Sequence, residues 1–269
     1  MGKTRKTSPL LVAQISDLHL FADDRRDLLG WNTWESLEKT LQQLESSSPH
    51  PDLILLTGDL AQDESEAAYL KILQRFVTLG IPTYWLPGNH DRVSAMERVL
   101  DRPPVFTDKT IDKGNWKFLL LNTHVPGEVY GALSEESLEW LDAELSQVPV
   151  DRPTLIAMHH PPFWVDSPWL DRSGLQNTEA FLSIVDRYSQ VQLVLVGHVH
   201  QEFECVRQDV TYLSTPSTCI QFMPKSSNFA LDDAQPGFRL LHLHPDGRFD
   251  TVVERVCFDQ QLNLAAQGY

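Results

Sequence analysis

The sequence has few cysteines and no long hydrophobic run, and both absences narrow the class of protein. Its 269 residues include only three cysteines, Cys205, Cys219 and Cys257. An odd number at long spacings predicts neither a disulfide framework nor a zinc finger, and it favours reduced thiols in the cytoplasm. No run of about 18 apolar residues occurs, so we expect no membrane span. The basic segment 1–9 is not followed by the apolar stretch of a signal peptide.

Positive charge is also scarce. The chain carries 22 basic residues against 37 acidic ones, for a net charge of −15. Such a field repels DNA and RNA, so we expect no nucleic-acid partner. A small anionic substrate stays compatible with this charge if bound cations dominate the field at the site.

The apolar residues predict an α/β fold in which short strands alternate with helices. The predicted strands of the first two thirds are Leu10–Ser16, Asp52–Leu56, Pro82–Leu86, a hairpin of Thr107–Ile111 and Trp116–Leu121, Thr154–Met158 and Gln192–Val196. The predicted helices are Trp34–Leu44, Glu64–Leu79, Val93–Leu100, Glu135–Leu145 with Ser134 as N-cap, and Thr178–Tyr188. After Gly197 the pattern becomes β-rich, with predicted strands Phe203–Arg207, Thr211–Ser214, Phe238–His244 and Thr251–Val256. The final residues 260–269 are polar and are predicted to form a loop or a loose tail.

Five short polar motifs stand where predicted strands end. They are Ile15-Ser16-Asp17-Leu18-His19, Thr57-Gly58-Asp59, Pro87-Gly88-Asn89-His90-Asp91, Met158-His159-His160-Pro161 and Val196-Gly197-His198-Val199-His200. Ligands of open α/β sheets bind at the carboxyl ends of strands, where such loops meet. Each motif is a weak signal alone, but the ordered set of five predicts one shared site.

The residue types in these motifs indicate metal binding. Imidazole together with carboxylate oxygen suits borderline cations such as Mn²⁺, Fe²⁺ and Zn²⁺, and the lack of a thiolate argues against a structural zinc site. The candidate ligands are Asp17, His19, Asp59, Asn89, His159, His198 and His200. Seven are too many for one ion, so the sequence predicts two divalent cations that share a carboxylate.

The ordered motifs resemble the calcineurin-like metallophosphoesterase superfamily over residues 15–200. The resemblance implies a single domain over residues 1–269 with a four-layer α/β/β/α sandwich and two central mixed β-sheets, a β-rich part over 201–257 and a tail over 258–269. It assigns Asp17, His19 and His200 to the first metal, Asn89, His159 and His198 to the second, and Asp59 to both. His90 would be the catalytic residue, and Asp91 would orient it.

Further segments look like the bacterial 3′,5′-cyclic AMP phosphodiesterase group of that superfamily. They include the stretches 28–36, 58–63, 85–91, 215–219 and 227–229, and then Pro236-Gly237-Phe238-Arg239. This resemblance implies hydrolysis of 3′,5′-cyclic AMP to 5′-AMP with Fe²⁺ or Mn²⁺, or with Zn²⁺. The implied substrate-binding residues are His19, Asp59, Asn89, His90, His159 and His200. Trp31 departs from the pattern, because we expect a small apolar residue there.

Several interpretations stay open at this point. The enzyme could act on 2′,3′-cyclic nucleotides or other phosphodiesters, or the chain could be a scaffold that kept the fold and lost the activity. His160 could face the substrate or be structural. His124 could approach the same site, but a surface loop is the favoured interpretation. Aromatic and polar residues near the motifs could stack on a nucleobase or pack in the core, namely Phe163, Trp164, Trp169, Phe222 and Asn228. The C-terminal third could form a homodimer surface or complete the second sheet.

Overall fold

A computed structural model describes residues 8–268, whose strands form two six-stranded sheets and two short hairpins. In chain order the strands are β1 (Leu10–Ile15), β2 (Asp27–Leu28), β3 (Trp31–Asn32), β4 (Leu53–Thr57), β5 (Thr83–Leu86), β6 (Val105–Phe106), β7 (Thr110–Lys113), β8 (Trp116–Leu120), β9 (Thr154–Ala157), β10 (Val191–Val196), β11 (Phe203–Arg207), β12 (Val210–Ser214), β13 (Gln221–Phe222), β14 (Leu231–Asp232), β15 (Gly237–Leu243) and β16 (Phe249–Arg255). The first sheet has the order β16-β15-β1-β4-β5-β6, and the second has the order β11-β12-β10-β9-β8-β7.

The helices lie between these strands. They are α1 (Thr33–Ser46), α2 (Glu66–Leu79), α3 (Val93–Val99), α4 (Glu135–Gln147), α5 (Pro168–Asp171) and α6 (Thr178–Val185). The side chain of Ser134 accepts a hydrogen bond from the backbone N–H of Ser137, so the predicted N-cap of α4 is confirmed. Within residues 8–268, every helix is too short or too polar to cross a membrane.

Each sheet is mixed, as the resemblance implied. Strands β1, β4, β5 and β6 run parallel, and β15 and β16 add antiparallel pairs at one edge. In the second sheet β12, β10, β9 and β8 run parallel, with antiparallel β11 and β7 at the two edges. The C-terminal strands therefore complete both sheets, which resolves one of the open interpretations of that part of the chain.

The four layers follow from the alternation of apolar side chains along the strands. In β1, Leu11, Ala13 and Ile15 pack in one cluster with residues of α1 and α2, whereas Leu10 and Val12 pack against the second sheet. In β8, Phe118 faces the first sheet and Leu119 packs in a third cluster with residues of α4 and α6. Alternate residues of a strand point to opposite faces, so both sheets are covered on both sides. The predicted four-layer sandwich is confirmed.

Polar contacts also cross between the sheets. Gln14, fully buried in β1, donates from Nε2 to the carbonyl oxygen of Val196 in β10 at 2.9 Å and to Oγ1 of Thr57 at 3.1 Å. These bonds lie near the carboxyl ends of β1, β4 and β10, where three of the polar motifs begin. The two sheets are thus joined directly beneath those motifs.

The structure contains short elements that the sequence analysis did not predict. They are the strands β2, β3, β6, β13 and β14 and the helix α5, whose two to four residues are too few to show a periodic pattern. The first part of the predicted C-terminal tail is a loop that packs against the rest of the chain. Phe258 is buried against Trp31, and the backbone N–H of Asn263 donates to the carbonyl of Leu29 at 2.9 Å. Tyr269 lies outside the described residues.

The cluster between the sheets predicts a stability test. Leu55 in β4 is fully buried there, so Leu55→Ala should lower the free energy of unfolding by about 2–5 kcal/mol through lost burial and a residual cavity. Leu70 on α2 is 47% exposed and serves as a matched control. Leu70→Ala should change stability by less than about 0.5 kcal/mol in the same urea unfolding experiment. Equal losses for the two variants would contradict the assignment of Leu55 to the core.

Candidate metal centre

All seven predicted ligands follow strands of the two sheets, and they come together at one end of the sandwich. Asp17 and His19 follow β1, Asp59 follows β4 and Asn89 follows β5. His159, His198 and His200 reach the same place from the second sheet, after β9 and β10. The contacts given below all join side chains from these loops. The convergence expected from the strand ends is therefore present.

The first group contains Asp17, His19 and His200, all fully or almost fully buried. One ligand atom of each lies within 4.8 Å of the others. Nε2 of His19 is 3.1 Å from Nε2 of His200, and the latter atom is 3.3 Å from Oδ1 of Asp17. Two imidazole nitrogens and a carboxylate oxygen thus face a common point, as the first metal requires.

The second group is arranged around the side-chain oxygen of Asn89. Oδ1 of Asn89 is 3.0 Å from Nδ1 of His198 and 3.3 Å from Nε2 of His159. The other ring nitrogen of His159 contacts the carbonyl oxygen of Thr57 at 2.8 Å. A carbonyl only accepts, so this nitrogen carries a proton, and Nε2 of His159 is the ring nitrogen directed toward Asn89.

Asp59 lies between the two groups. Its Oδ2 is 3.8 Å from Nε2 of His19 in the first group and 3.3 Å from Nε2 of His159 in the second. Its Oδ1 accepts the backbone N–H of His90 at 2.8 Å. One carboxylate therefore faces both groups and also fixes the loop that carries His90.

The loops reach this geometry through unusual backbone conformations. Five of the seven ligands have a left-handed backbone with φ between 48° and 71°, namely Asp17, His19, Asp59, His198 and His200. Non-glycine residues adopt this region rarely, and it concentrates at functional sites. Gly88 approaches Asp59 so closely that an added Cβ would overlap its carboxylate, and a Cβ on Gly58 would overlap the ring of His159. The glycines of the motifs thus allow neighbouring loops to touch.

Burial sets the protonation of the site. Burial lowers the pKa of His19 to about 3 and, together with His159, holds the pKa of His198 well below its ordinary value. Both rings are therefore neutral near pH 7 and offer a lone pair. Burial also opposes the charged form of His159, but the adjacent Asp59 carboxylate raises its pKa to about 9. In this pair a metal cation would take the place of the shared proton.

His90 and Asp91 lie next to these groups. The ring centroid of His90 is 5.0 Å from that of His19. The carboxylate of Asp91 accepts bonds from the backbone N–H groups of Leu60, Ala61 and Gly88 and from the hydroxyl of Tyr69, at 3.0–3.1 Å. Asp91 thus joins the loops after β4 and β5.

Two further histidines have separate roles. His160 is buried, with Nδ1 2.8 Å from Oγ1 of Thr123 and Nε2 3.1 Å from the carbonyl of Val129, so both nitrogens hold the loop after β8. This favours the structural interpretation. His124, in contrast, is half-buried and lines a cavity of about 570 Å³ beside Asn89 and Asp91. Of the two interpretations of His124, the cavity favours the one that places it near the site.

The aromatic candidates mostly pack in the protein rather than facing open space. Phe163 stacks on Phe203 at 5.2 Å between ring centroids. Phe222 is buried and stacks on His200, with centroids 4.1 Å apart and planes 12° from parallel. Trp169 contacts the edge of Phe222, whereas Trp164 is 78% exposed. Phe222 thus supports a predicted metal ligand instead of forming an open stacking surface.

Comparison with known proteins agrees with this geometry. The family model of the calcineurin-like phosphoesterases matches residues 10–202. The chain belongs to this family. The matched part contains all seven predicted ligands, and the family together with the observed groups supports a dinuclear divalent metal centre in this phosphoesterase.

Curated relatives cover almost the whole phosphoesterase. A 3′,5′-cyclic-nucleotide phosphodiesterase of Nostoc sp. is 48% identical over 92% of this chain and 93% of its own length. The 3′,5′-cyclic adenosine monophosphate phosphodiesterase CpdA of Escherichia coli is 41% identical over 96% of this chain and 94% of its own. Among solved structures, a dimetal phosphatase from Danio rerio superposes with a TM-score of 0.63 at 16% identity, covering 93% of this chain and 100% of that one. At this identity the likeness shows the fold alone.

The buried ligand groups predict that metal binding stabilises the fold. Divalent cations that bind only the folded chain stabilise it by about 2.7 kcal/mol at a concentration one hundred times Kd. We expect the melting temperature of the phosphoesterase to rise with added Mn²⁺ and to fall when a chelator removes it. Differential scanning calorimetry at several Mn²⁺ concentrations measures this. A melting temperature independent of Mn²⁺ and of chelator would contradict a metal centre at these residues.

Proposed function

We propose that this phosphoesterase hydrolyses 3′,5′-cyclic AMP to 5′-AMP with two divalent cations held by the seven ligands. The observation that carries the proposal is the similarity to two cyclic-nucleotide phosphodiesterases, which extends over more than nine tenths of the chain. It includes parts of the sequence that hold none of the candidate ligands. The complete ligand set argues against a scaffold without activity.

The chemistry of the centre suits a phosphodiester. A pair of divalent cations, when bound, supplies a water of lowered pKa and neutralises the charge that develops on the phosphoryl oxygens. Oδ2 of Asp59 faces both ligand groups, so this residue would hold the two cations at a fixed separation. We propose Fe²⁺ or Mn²⁺ as the native cations, with Zn²⁺ also compatible with imidazole and carboxylate ligands.

His90 is proposed as the catalytic residue beside the cations. Its backbone N–H is bound to Asp59, and its half-buried ring lies against His19. From this position the protonated ring would donate a proton to the 3′-oxygen as it leaves phosphorus. Asp91 acts indirectly, because it holds the backbone on either side of the loop that carries His90.

The substrate would be bound by the ligand groups and by the adjoining cavity. The proposed substrate-binding residues are His19, Asp59, Asn89, His90, His159 and His200. The cavity beside Asn89 also includes Arg92, Asn122 and His124, and its volume of about 570 Å³ is within the range of small-molecule sites. It provides space for the nucleoside half of the substrate.

The remaining proposals concern partners and location. The net charge of −15 argues against a nucleic-acid partner. The three cysteines are unpaired, which favours the cytoplasm, and burial raises the pKa of Cys219 to about 12, so this thiol is unreactive near pH 7. A homodimer stays a prediction.

Substrate selectivity gives a direct test. Protein reconstituted with Mn²⁺ should hydrolyse 3′,5′-cyclic AMP to 5′-AMP, measured by chromatography of the products, and excess chelator should abolish the reaction. Hydrolysis of 2′,3′-cyclic AMP should be at least tenfold slower. Equal turnover of the two isomers, or none of the 3′,5′ isomer, would favour the broader phosphodiesterase instead.

The role of His90 gives a second test. His90→Ala should lower kcat for 3′,5′-cyclic AMP by about 10²–10⁴-fold, the usual contribution of a general acid. Elemental analysis should still find two metal ions per chain. His50 is exposed in a loop after α1, so His50→Ala is a matched control that should leave kcat unchanged. Normal turnover by a metal-loaded His90→Ala protein would remove His90 from the reaction.

A further inference from the structure

In each of the four candidate ligand histidines, one ring nitrogen faces the other ligands and the second ring nitrogen points away from them. The partners of these second nitrogens are of two kinds. His159 and His200 contact the backbone carbonyls of Thr57 and Ile220, each at 2.8 Å. His19 and His198 instead contact side chains, those of Gln62 and Ser173. A backbone carbonyl is present whatever the side chain, whereas a side-chain partner can be removed by substitution. Each ligand group contains one histidine of each kind.

Ser173 contacts the ring nitrogen of His198 that faces away from Asn89. Its Oγ is 2.9 Å from Nε2 of His198 and 2.8 Å from the carbonyl oxygen of Leu170. A serine hydroxyl has one proton, and the carbonyl of Leu170 can only accept it. When Nδ1 of His198 binds a cation, its Nε2 would carry the ring proton and donate it to Oγ of Ser173. Nδ1 of His198 is 3.0 Å from Oδ1 of Asn89, which belongs to the same ligand group.

Gln62 has the corresponding position at the first group. Its Oε1 is 2.6 Å from Nδ1 of His19. An amide oxygen only accepts, so Nδ1 of His19 carries the proton and its Nε2 lone pair faces Nε2 of His200 at 3.1 Å. The backbone N–H of Gln62 donates to the carbonyl of Leu20 at 2.8 Å, which fixes the residue beside the loop of His19.

We propose that Gln62 and Ser173 are positioning residues for separate metals, Gln62 through His19 for the first and Ser173 through His198 for the second. Each orients its ring and presents a bare nitrogen to the cation. The inference rests on the proposed ligand assignment but not on the identity of the substrate. Partners of this kind typically contribute 10–100-fold to metal affinity.

The test measures metal binding at each site without substrate. Ser173→Ala and Gln62→Met remove the two acceptors, and Ser173→Thr and Gln62→Glu retain them. Crystals of each metal-free variant are equilibrated at a series of buffered Mn²⁺ concentrations, and anomalous scattering gives the occupancy of each site. Ser173→Ala should raise the apparent Kd of the second site by about 10–100-fold relative to that of the first. Gln62→Met should raise the apparent Kd of the first site by about 10–100-fold relative to that of the second. The two conservative variants should restore the normal ratio.

Matched controls separate this role from a structural one. Ser183 donates to the carbonyl of Ala180, three residues earlier, as Ser173 does to that of Leu170, but it lies exposed on α6. Gln192 donates to the carbonyl of Ser189 on the surface. Ser183→Ala and Gln192→Met should leave both sites unchanged, and all variants should unfold at the same temperature in chelator.

Two results would overturn the inference. One is unchanged occupancy of both sites in Ser173→Ala and Gln62→Met, and the other is a loss shared equally by the two sites. A wild-type protein that binds two Mn²⁺ ions but leaves 3′,5′-cyclic AMP intact would refute the proposed function and leave this inference standing.

Discussion

The carboxylate of Asp59 is the constraint on which the arrangement depends. It is buried, and one of its oxygens faces an imidazole of each ligand group while the other binds the backbone of His90. A buried carboxylate without a compensating charge is costly. In the absence of metal, His159 offsets this cost by holding a proton, as its raised pKa shows. The buried negative charge of Asp59 is costly without a compensating charge, and for the same reason it attracts cations strongly.

The ligands come from both sheets, so the site exists only when the two sheets pack together. Asp17, His19, Asp59 and Asn89 follow strands of the first sheet, whereas the three remaining histidines follow strands of the second. The cluster between the sheets and the bonds of Gln14 fix their separation. Left-handed residues cost about 1–3 kcal/mol each, and they persist only where the surroundings determine them. Packing of the two sheets holds the candidate ligand loops in these left-handed conformations.

The convergence of the candidate ligands was predictable from the sequence because their motifs combine chemistry with position. Gly58-Asp59 or Gly197-His198 alone would be a turn, but their order along successive strands placed them at one end of the sheets. Contacts between distant parts of the chain were not predictable in this way. Nothing local in the sequence shows that Asp91 binds the backbone of Leu60 and Ala61, or that Ser173 reaches His198 from the segment after α5. The docking of Phe258 on Trp31 depends in the same way on tertiary packing.

The two halves of the centre differ in charge. The first has the carboxylate of Asp17 in addition to the shared Asp59, whereas the second has the neutral amide of Asn89 in the corresponding place. Cation affinity rises with the number of charged ligands, so the first half should hold its ion more firmly. With fewer charges, the second half depends more on the orientation of its imidazoles. Two divalent cations would also outweigh the two carboxylates, which leaves the site positive in a protein of net charge −15. This local excess explains how an acidic protein can attract an anionic phosphodiester.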